Sequence, residues 1–261
     1  CVVMLFWLPE SLHFMVVKGK EPAKIAHILA KVTGRPTPEQ ATFVLPEKQN
    51  IGNQKSALGL IFSKPFRMTT LSLWVACFTS LLVFYLLTSW FTTLLQNIGF
   101  SQAQSLQLAP MFPLGGAVGA IVIGWLMDKY HATHTVMYSY LVAAILLVLT
   151  GMNHQHTVAF AVLIFLTGAM VGGAQSALPA LTASFYPVKG RATGVSWMHG
   201  IGRFGAIFGA MIGGELLRLQ LDMISIFLLL AIPALITTSA LFVLNVVNKR
   251  SQRQAALVSE A

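Results

Sequence analysis

Charge is what this sequence has least of. Asp, Glu, Lys and Arg make up 10% of its 261 residues, against about 25% in an ordinary soluble domain. Acid is scarcer still, with eight Asp and Glu against 17 Lys and Arg. That shortage excludes a water-soluble globular fold. Cysteine is nearly missing as well. Cys1 and Cys77 cannot build a disulfide framework, and Cys77, inside an apolar run, reads as a packing residue. His131-x-x-His134 and His154-x-His156 have metal-like spacings but no third ligand nearby, so no metal is expected. No Gly-x-x-x-x-Gly-Lys loop occurs, so the chain does not drive work with ATP itself. Without a nucleophile elbow or clustered acids at membrane depth, a membrane-embedded enzyme is disfavoured.

What is abundant is apolar surface: 56% of the residues are hydrophobic, and the mean hydropathy is +0.72. Six apolar runs lie at about 69–91, 106–127, 135–152, 158–178, 192–216 and 223–247. Each is close to the roughly 20 residues that a tilted helix needs to cross a bilayer. The fold expected is an all-α membrane protein with six transmembrane helices. The net charge of +9 does not point to nucleic acid, because the basic residues fall in the gaps between the runs. If the segment 9–67 is cytoplasmic, fifteen of the 17 Lys and Arg lie on that side, Arg218 lies outside and Arg203 lies within a run. That asymmetry orients the six spans and puts the C-terminus in the cytoplasm.

Four segments follow from this division. Residues 1–8 read as the end of a transmembrane helix whose beginning is missing, so the chain reads as the C-terminal part of a longer protein. Residues 9–67 are a polar, basic cytoplasmic linker, with a short surface helix expected over Lys24–Val32 between Pro22 and Gly34. Residues 68–248 hold the six-helix bundle, and 249–261 form a cytoplasmic tail. Pro110, Pro113, Gly115, Gly116 and Gly119 crowd the second span, while Pro179 and Pro187 flank the inner end of the fourth. Such residues either loosen helices that must rock or let helices pack closely.

One run organises the rest. The segment from Arg191 to Glu215 carries one internal charge, Arg203, near its middle. A guanidinium at that depth costs at least about 2.5 kcal/mol, so it must face a partner or a water-filled cavity. Gly205, Gly209 and Gly213 form one row of small residues and Gly202, Ala206, Ala210 and Gly214 a second, which lets a neighbouring helix come close. Arginine binds a carboxylate through two parallel hydrogen bonds, which suits an organic anion; a structural arginine held by an acid or backbone carbonyls is the alternative. His199, one turn away, could donate to the same anion or simply pack. In the first span Trp74, Phe78 and Tyr85 share a face that could stack an aromatic ring or face lipid, and Trp90 and Phe91 read as an interfacial belt. Gln175 could bond a substrate oxygen or a neighbouring helix.

Two motifs carry a resemblance. Gly124-Trp-Leu-Met-Asp128-Lys129-Tyr-His131-Ala-Thr-His134 resembles part of the loop signature of the major facilitator superfamily, with Gly124, Asp128 and Lys129 matching and the later Gly and basic pair replaced. Leu8-Pro-Glu-Ser11, Tyr186-Pro187-x-x-x-Arg191-Ala-Thr-Gly194 and Gly200-Ile-Gly-Arg203-x-Gly205 resemble the aromatic acid/proton symporter family within it. The resemblance implies the C-terminal half of a twelve-helix transporter, with a cytoplasmic linker before it and a six-helix N-terminal half as its partner. It implies proton-driven import of benzoate-like carboxylates across a bacterial inner membrane, with no cofactor beyond the proton gradient. Arg203, with His199, Gln175, Tyr85 and Phe78 around it, would bind the anion. Asp128 and Lys129 would form an inner gate with Arg191. A transporter for a sugar, dicarboxylate or drug, or an inactive half, are the competing expectations.

Overall fold

A computed structural model describes residues 25–26, 28–30, 56–97, 99–153, 155–219 and 221–259. The expected helix end at 1–8, Leu8-Pro-Glu-Ser11 and His154 lie outside the described residues. Contacts divide the chain into two units, Cys1–Lys55 and Ser56–Ala261. In the first, the described residues are helical, within the stretch expected at Lys24–Val32.

The second unit is built from eight helices: α1 (Ala57–Ile61), α2 (Arg67–Asn97), α3 (Gln102–Leu108), α4 (Met111–Lys129), α5 (Ala132–Met152), α6 (Thr157–Phe185), α7 (Val188–Arg218) and α8 (Met223–Ser259). Among the described residues six spans are long and apolar enough to cross a membrane, with α3 and α4 together forming the second. This is a multi-pass, all-helical membrane bundle.

Helix begins inside the segment expected as linker. Residues 57–61 are apolar and fold as α1, capped by the Ser56 hydroxyl, which accepts from the Gly59 N–H. Ile61 is fully buried against the bundle, so this turn belongs to the second unit. The second span also departs from a single run. Ser101 and Gln104 form a capping box that starts α3. Pro110 then opens a new helix, and Pro113 sits in its first turn, where the missing N–H costs nothing. Gly99, at φ 101°, closes α2 in a conformation that suits glycine. Pro179 does not flank α6 but lies inside it, two turns before Phe185. The expected tail at 249 does not break away either, because α8 continues to Ser259.

The tightest helix pairs are α2 with α7, α4 with α6 and α5 with α8, followed by α2 with α8 and α5 with α6. Glycines set the first two. A Cβ added to Gly205 would lie 2.0 Å from the Phe78 carbonyl oxygen, and one on Gly209 would lie 2.3 Å from that of Leu82. On α4, a Cβ on Gly119 would meet the Ala169 backbone at 2.0 Å. Backbones this close replace the hydrophobic drive that lipid does not supply with van der Waals contact. Phe91 and Trp90 are packing residues here, not a belt. Phe91 is 3% exposed and stacks on Phe160, while Trp90 Nε1 donates to the Ala210 carbonyl at 2.6 Å.

Candidate functional site

Arg203 sits at the midpoint of α7 and its side chain is exposed on the bundle surface. Among the described residues no acid holds its guanidinium: the contact is Nη1 donating to the Tyr85 hydroxyl of α2 at 3.3 Å. That bond spans 118 residues of sequence. It forms because the glycine row of α7 brings α2 close enough for a phenol to reach. Two residues expected to share a site therefore do meet. Four of the guanidinium N–H groups keep their capacity for a carboxylate fork.

The other expected ligands divide. Phe78, half-buried on α2, packs against Phe208 of α7 with ring centroids 6.0 Å apart. His199 lies half-buried one turn before Arg203 and makes no hydrogen bond to it. Gln175 of α6 is engaged inside the bundle. Its Oε1 accepts from the Ser80 hydroxyl of α2 and, at 3.4 Å, from the Tyr140 hydroxyl of α5. Ser80 has one proton and gives it to Gln175, so the single Tyr140 proton is shared between Ser80 and the longer contact to Gln175. Gln175 is thus the hub of a polar knot joining three helices, and the substrate-oxygen contact expected of it is not the use its carbonyl has here. Ser80 and Tyr140 went unnoticed in the sequence. Their only signal is polarity inside an apolar run, which many lone hydroxyls share by bonding their own helix.

Trp74, expected to offer a stacking face, is stacked on Trp197 at 5.9 Å, and Phe62 meets both edge-on at 5.7 and 6.3 Å. The Trp74 Nε1 is buried with no partner.

At the end of the bundle where Lys and Arg gather, Asp128, Lys129 and Arg191 are all exposed. Asp128 and Arg191 do not pair in this structure. Asp128 ends α4, which packs on α6, whereas Arg191 starts α7, which packs on α2. Lys129 instead lies over the rings of Trp125 and Tyr130, at 5.0 and 5.8 Å. The Tyr186–Gly194 motif has a structural explanation. The buried Tyr186 hydroxyl meets Thr70 Oγ1 at 2.8 Å, and Thr70 donates to the Ile61 carbonyl, so the phenol donates to Thr70. A Cβ on Gly194 would enter the Tyr186 ring at 2.5 Å. Burial pushes the Tyr186 phenol above its usual range, with the Thr70 bond acting against it. The motif therefore ties α1 and the start of α2 to the start of α7. Among the described residues no group of three His, Cys, Asp or Glu could hold a metal.

Comparison with known proteins adds a family. The profile described as Major Facilitator Superfamily matches residues 1–152 and 108–259. The chain is 40% identical over 247 residues to the 4-hydroxybenzoate transporter PcaK of Acinetobacter baylyi, covering 94% of this chain and 54% of that protein. It is 40% identical over 233 residues to the gallate transporter of Pseudomonas putida, covering 88% and 51%. It is 33% identical over 239 residues to the benzoate transport protein of Acinetobacter baylyi, covering 91% and 51%. The chain spans about half the length of these curated relatives.

Proposed function

The chain belongs to the major facilitator superfamily, and from that premise we propose that it is the C-terminal half of a secondary transporter that imports aromatic carboxylates with protons. The observation that carries this reading is Arg203: a guanidinium at mid-helix, exposed, joined to a phenol and to no acid. The names of the relatives, transporters for 4-hydroxybenzoate, gallate and benzoate, supply the substrate class. Carboxylate oxygens would take the free guanidinium N–H groups, and the Phe78 and Phe208 rings would lie along the substrate ring. His199 lines the same flank one turn away.

The face bearing Arg203 is open in this bundle, and a second six-helix bundle would close it into a midplane chamber. That partner also has to supply the coupling acid. Asp128 and Glu215 stand at helix ends, and no Asp or Glu lies in the interior of the six spans. Asp128, Lys129 and Arg191 act as a gate only when the missing half and the other conformation bring them together. The bacterial relatives support an inner-membrane setting, and the Lys and Arg distribution supports a cytoplasmic C-terminus.

The test is uptake of labelled benzoate and 4-hydroxybenzoate by the complete transporter that contains this chain. Arg203→Ala should abolish uptake, and Arg203→Lys, which keeps charge but loses the fork, should retain a small fraction with a raised KM. Uptake undiminished in Arg203→Ala would remove the arginine from the substrate path. Uptake of a sugar or a dicarboxylate in place of aromatic acids would overturn the substrate class.

A further inference from the structure

We propose that the crevice between α4 and α5, at the end of the bundle where Lys and Arg gather, binds the phosphate of an anionic phospholipid. The crevice has a volume of about 840 Å³. It exists because α4 and α5 touch only sparingly: α4 lies on α6, and α5 lies between α6 and α8. Met170 of α6 closes it from behind.

Its lining changes character with depth. Lys129, Tyr130, His131 and His134 gather around the α4–α5 turn, while Val142 and Met170 lie further in. From His131 to Val142 is 11 residues, or about 16 Å of helix at 1.5 Å per residue. That is enough to pass from the headgroup layer into the acyl chains. The outer surfaces of both helices beyond it stay apolar, with Ile121 and Val122 exposed on α4 and Ile145 on α5. Two acyl chains therefore have a track on either side of the opening, and a soluble anion would have no use for one.

The polar end is equipped for phosphate. Lys129 reaches over the Trp125 and Tyr130 rings, which keeps its ammonium at the membrane edge beside the crevice. The Asn245 amide of α8 donates to His134 Nε2 at 2.8 Å, which assigns the neutral ring its proton on Nδ1 and makes that nitrogen a donor. His131 packs edge-on against His134 at 5.6 Å. Tyr138, 56% exposed, adds a phenol at interfacial depth. Asp128 is the acid next in sequence, and it does not line the crevice. A cation and donors at one end, with apolar walls leading away, match one amphiphile better than a carboxylate or a peptide. The pair His131 and His134 thereby gains a role that needs no metal.

The site is separate from Arg203, since neither α4 nor α5 packs closely on α7, so its fate does not decide the transport reading. The complete transporter that contains this chain, purified in detergent, is titrated with dioleoylphosphatidylglycerol and, separately, dioleoylphosphatidylcholine, and bound lipid is counted by native mass spectrometry. The wild type should prefer the anionic lipid by about fivefold or more, the worth of one basic group near a charged lipid surface. Lys129→Gln with His134→Gln should reduce that preference to within about twofold, and Lys129→Arg should keep it. Lys129 is exposed, so Lys129→Gln alone tests the proposal without threatening the fold. Val142→Trp should weaken both lipids alike by filling the apolar wall. No preference in the wild type, or a preference intact in the double variant, would overturn the proposal. Displacement of the lipid by millimolar inorganic phosphate would overturn it too, by showing a site for soluble anions.

Discussion

Arg203 and Gln175 look alike in the sequence, each a polar side chain stranded in an apolar run. Packing separates them. Gln175 spends its carbonyl on Ser80 and Tyr140, whereas Arg203 makes a single long bond to Tyr85 and keeps the rest of its fork. The two should fail differently. Gln175→Leu leaves the Ser80 hydroxyl proton without its acceptor, while Tyr140 still has Ser80, which costs about 1–2 kcal/mol. Ser80→Ala costs less, about 0.6 kcal/mol, the average of interhelical bonds in membranes. Both should appear as lowered melting temperature in detergent, with KM for the carboxylate moving by less than about twofold in the fraction that folds. A large rise in KM at unchanged melting temperature would instead place Gln175 on the substrate. That Arg203 needs a partner or water was legible from the sequence because the cost of a charge at that depth is independent of what surrounds it. The partners of Gln175 were not, since they lie 95 and 35 residues away and become neighbours only once three helices have paired.

The elements were legible where a helix face is uniform. The small-residue rows of α7 announced a close neighbour, and α2 is that neighbour, with Gly205 against Phe78 and Gly213 against Trp90. This makes glycine positions predictable in pairs. Gly205→Ala forces the Phe78 backbone away and should destabilise the bundle by about 1–3 kcal/mol. Gly200→Ala, where an added Cβ meets nothing within 4 Å, should stabilise α7 by roughly 0.5–1 kcal/mol. Melting curves of the two variants should therefore shift in opposite directions, and a like shift in both would refute the packing argument. Helix ends were harder to read. Hydropathy marks the apolar middle of a helix, but α2 runs on to Asn97 and α6 to Phe185. Polar residues there continue the helix toward water. Phe91 misled for a related reason: an aromatic near the end of an apolar run fits a belt as well as a core, and only the Phe160 ring decides.

At the scale of the whole bundle the packing has a hidden order. Number the spans one to six from α2 to α8, with α3 and α4 as the second. The close pairs are one with five, two with four and three with six, then one with six and three with four. Exchanging one with four, two with five and three with six turns the first pair into the second, the fourth into the fifth, and leaves the third unchanged. Two inverted three-helix repeats related by a two-fold axis in the membrane plane have that property. The repeats at about 69–152 and 158–247 carry no visible sequence identity, so only the pairing reveals them. A single crossing by α5 puts the α4–α5 turn and the α5–α6 turn on opposite faces, and the proposed orientation, which rests on the Lys and Arg excess, would put the first in the cytoplasm. With Cys1→Ser and Cys77→Ala as background, a cysteine placed at Asn153 should react with a membrane-impermeant maleimide in intact cells. One at His131 should react only after the cells are opened. Both positions lie in turns between helices, so substitution there leaves the spans intact. Labelling with the two positions exchanged would reverse the orientation, and labelling of both from outside would break the six-span topology itself.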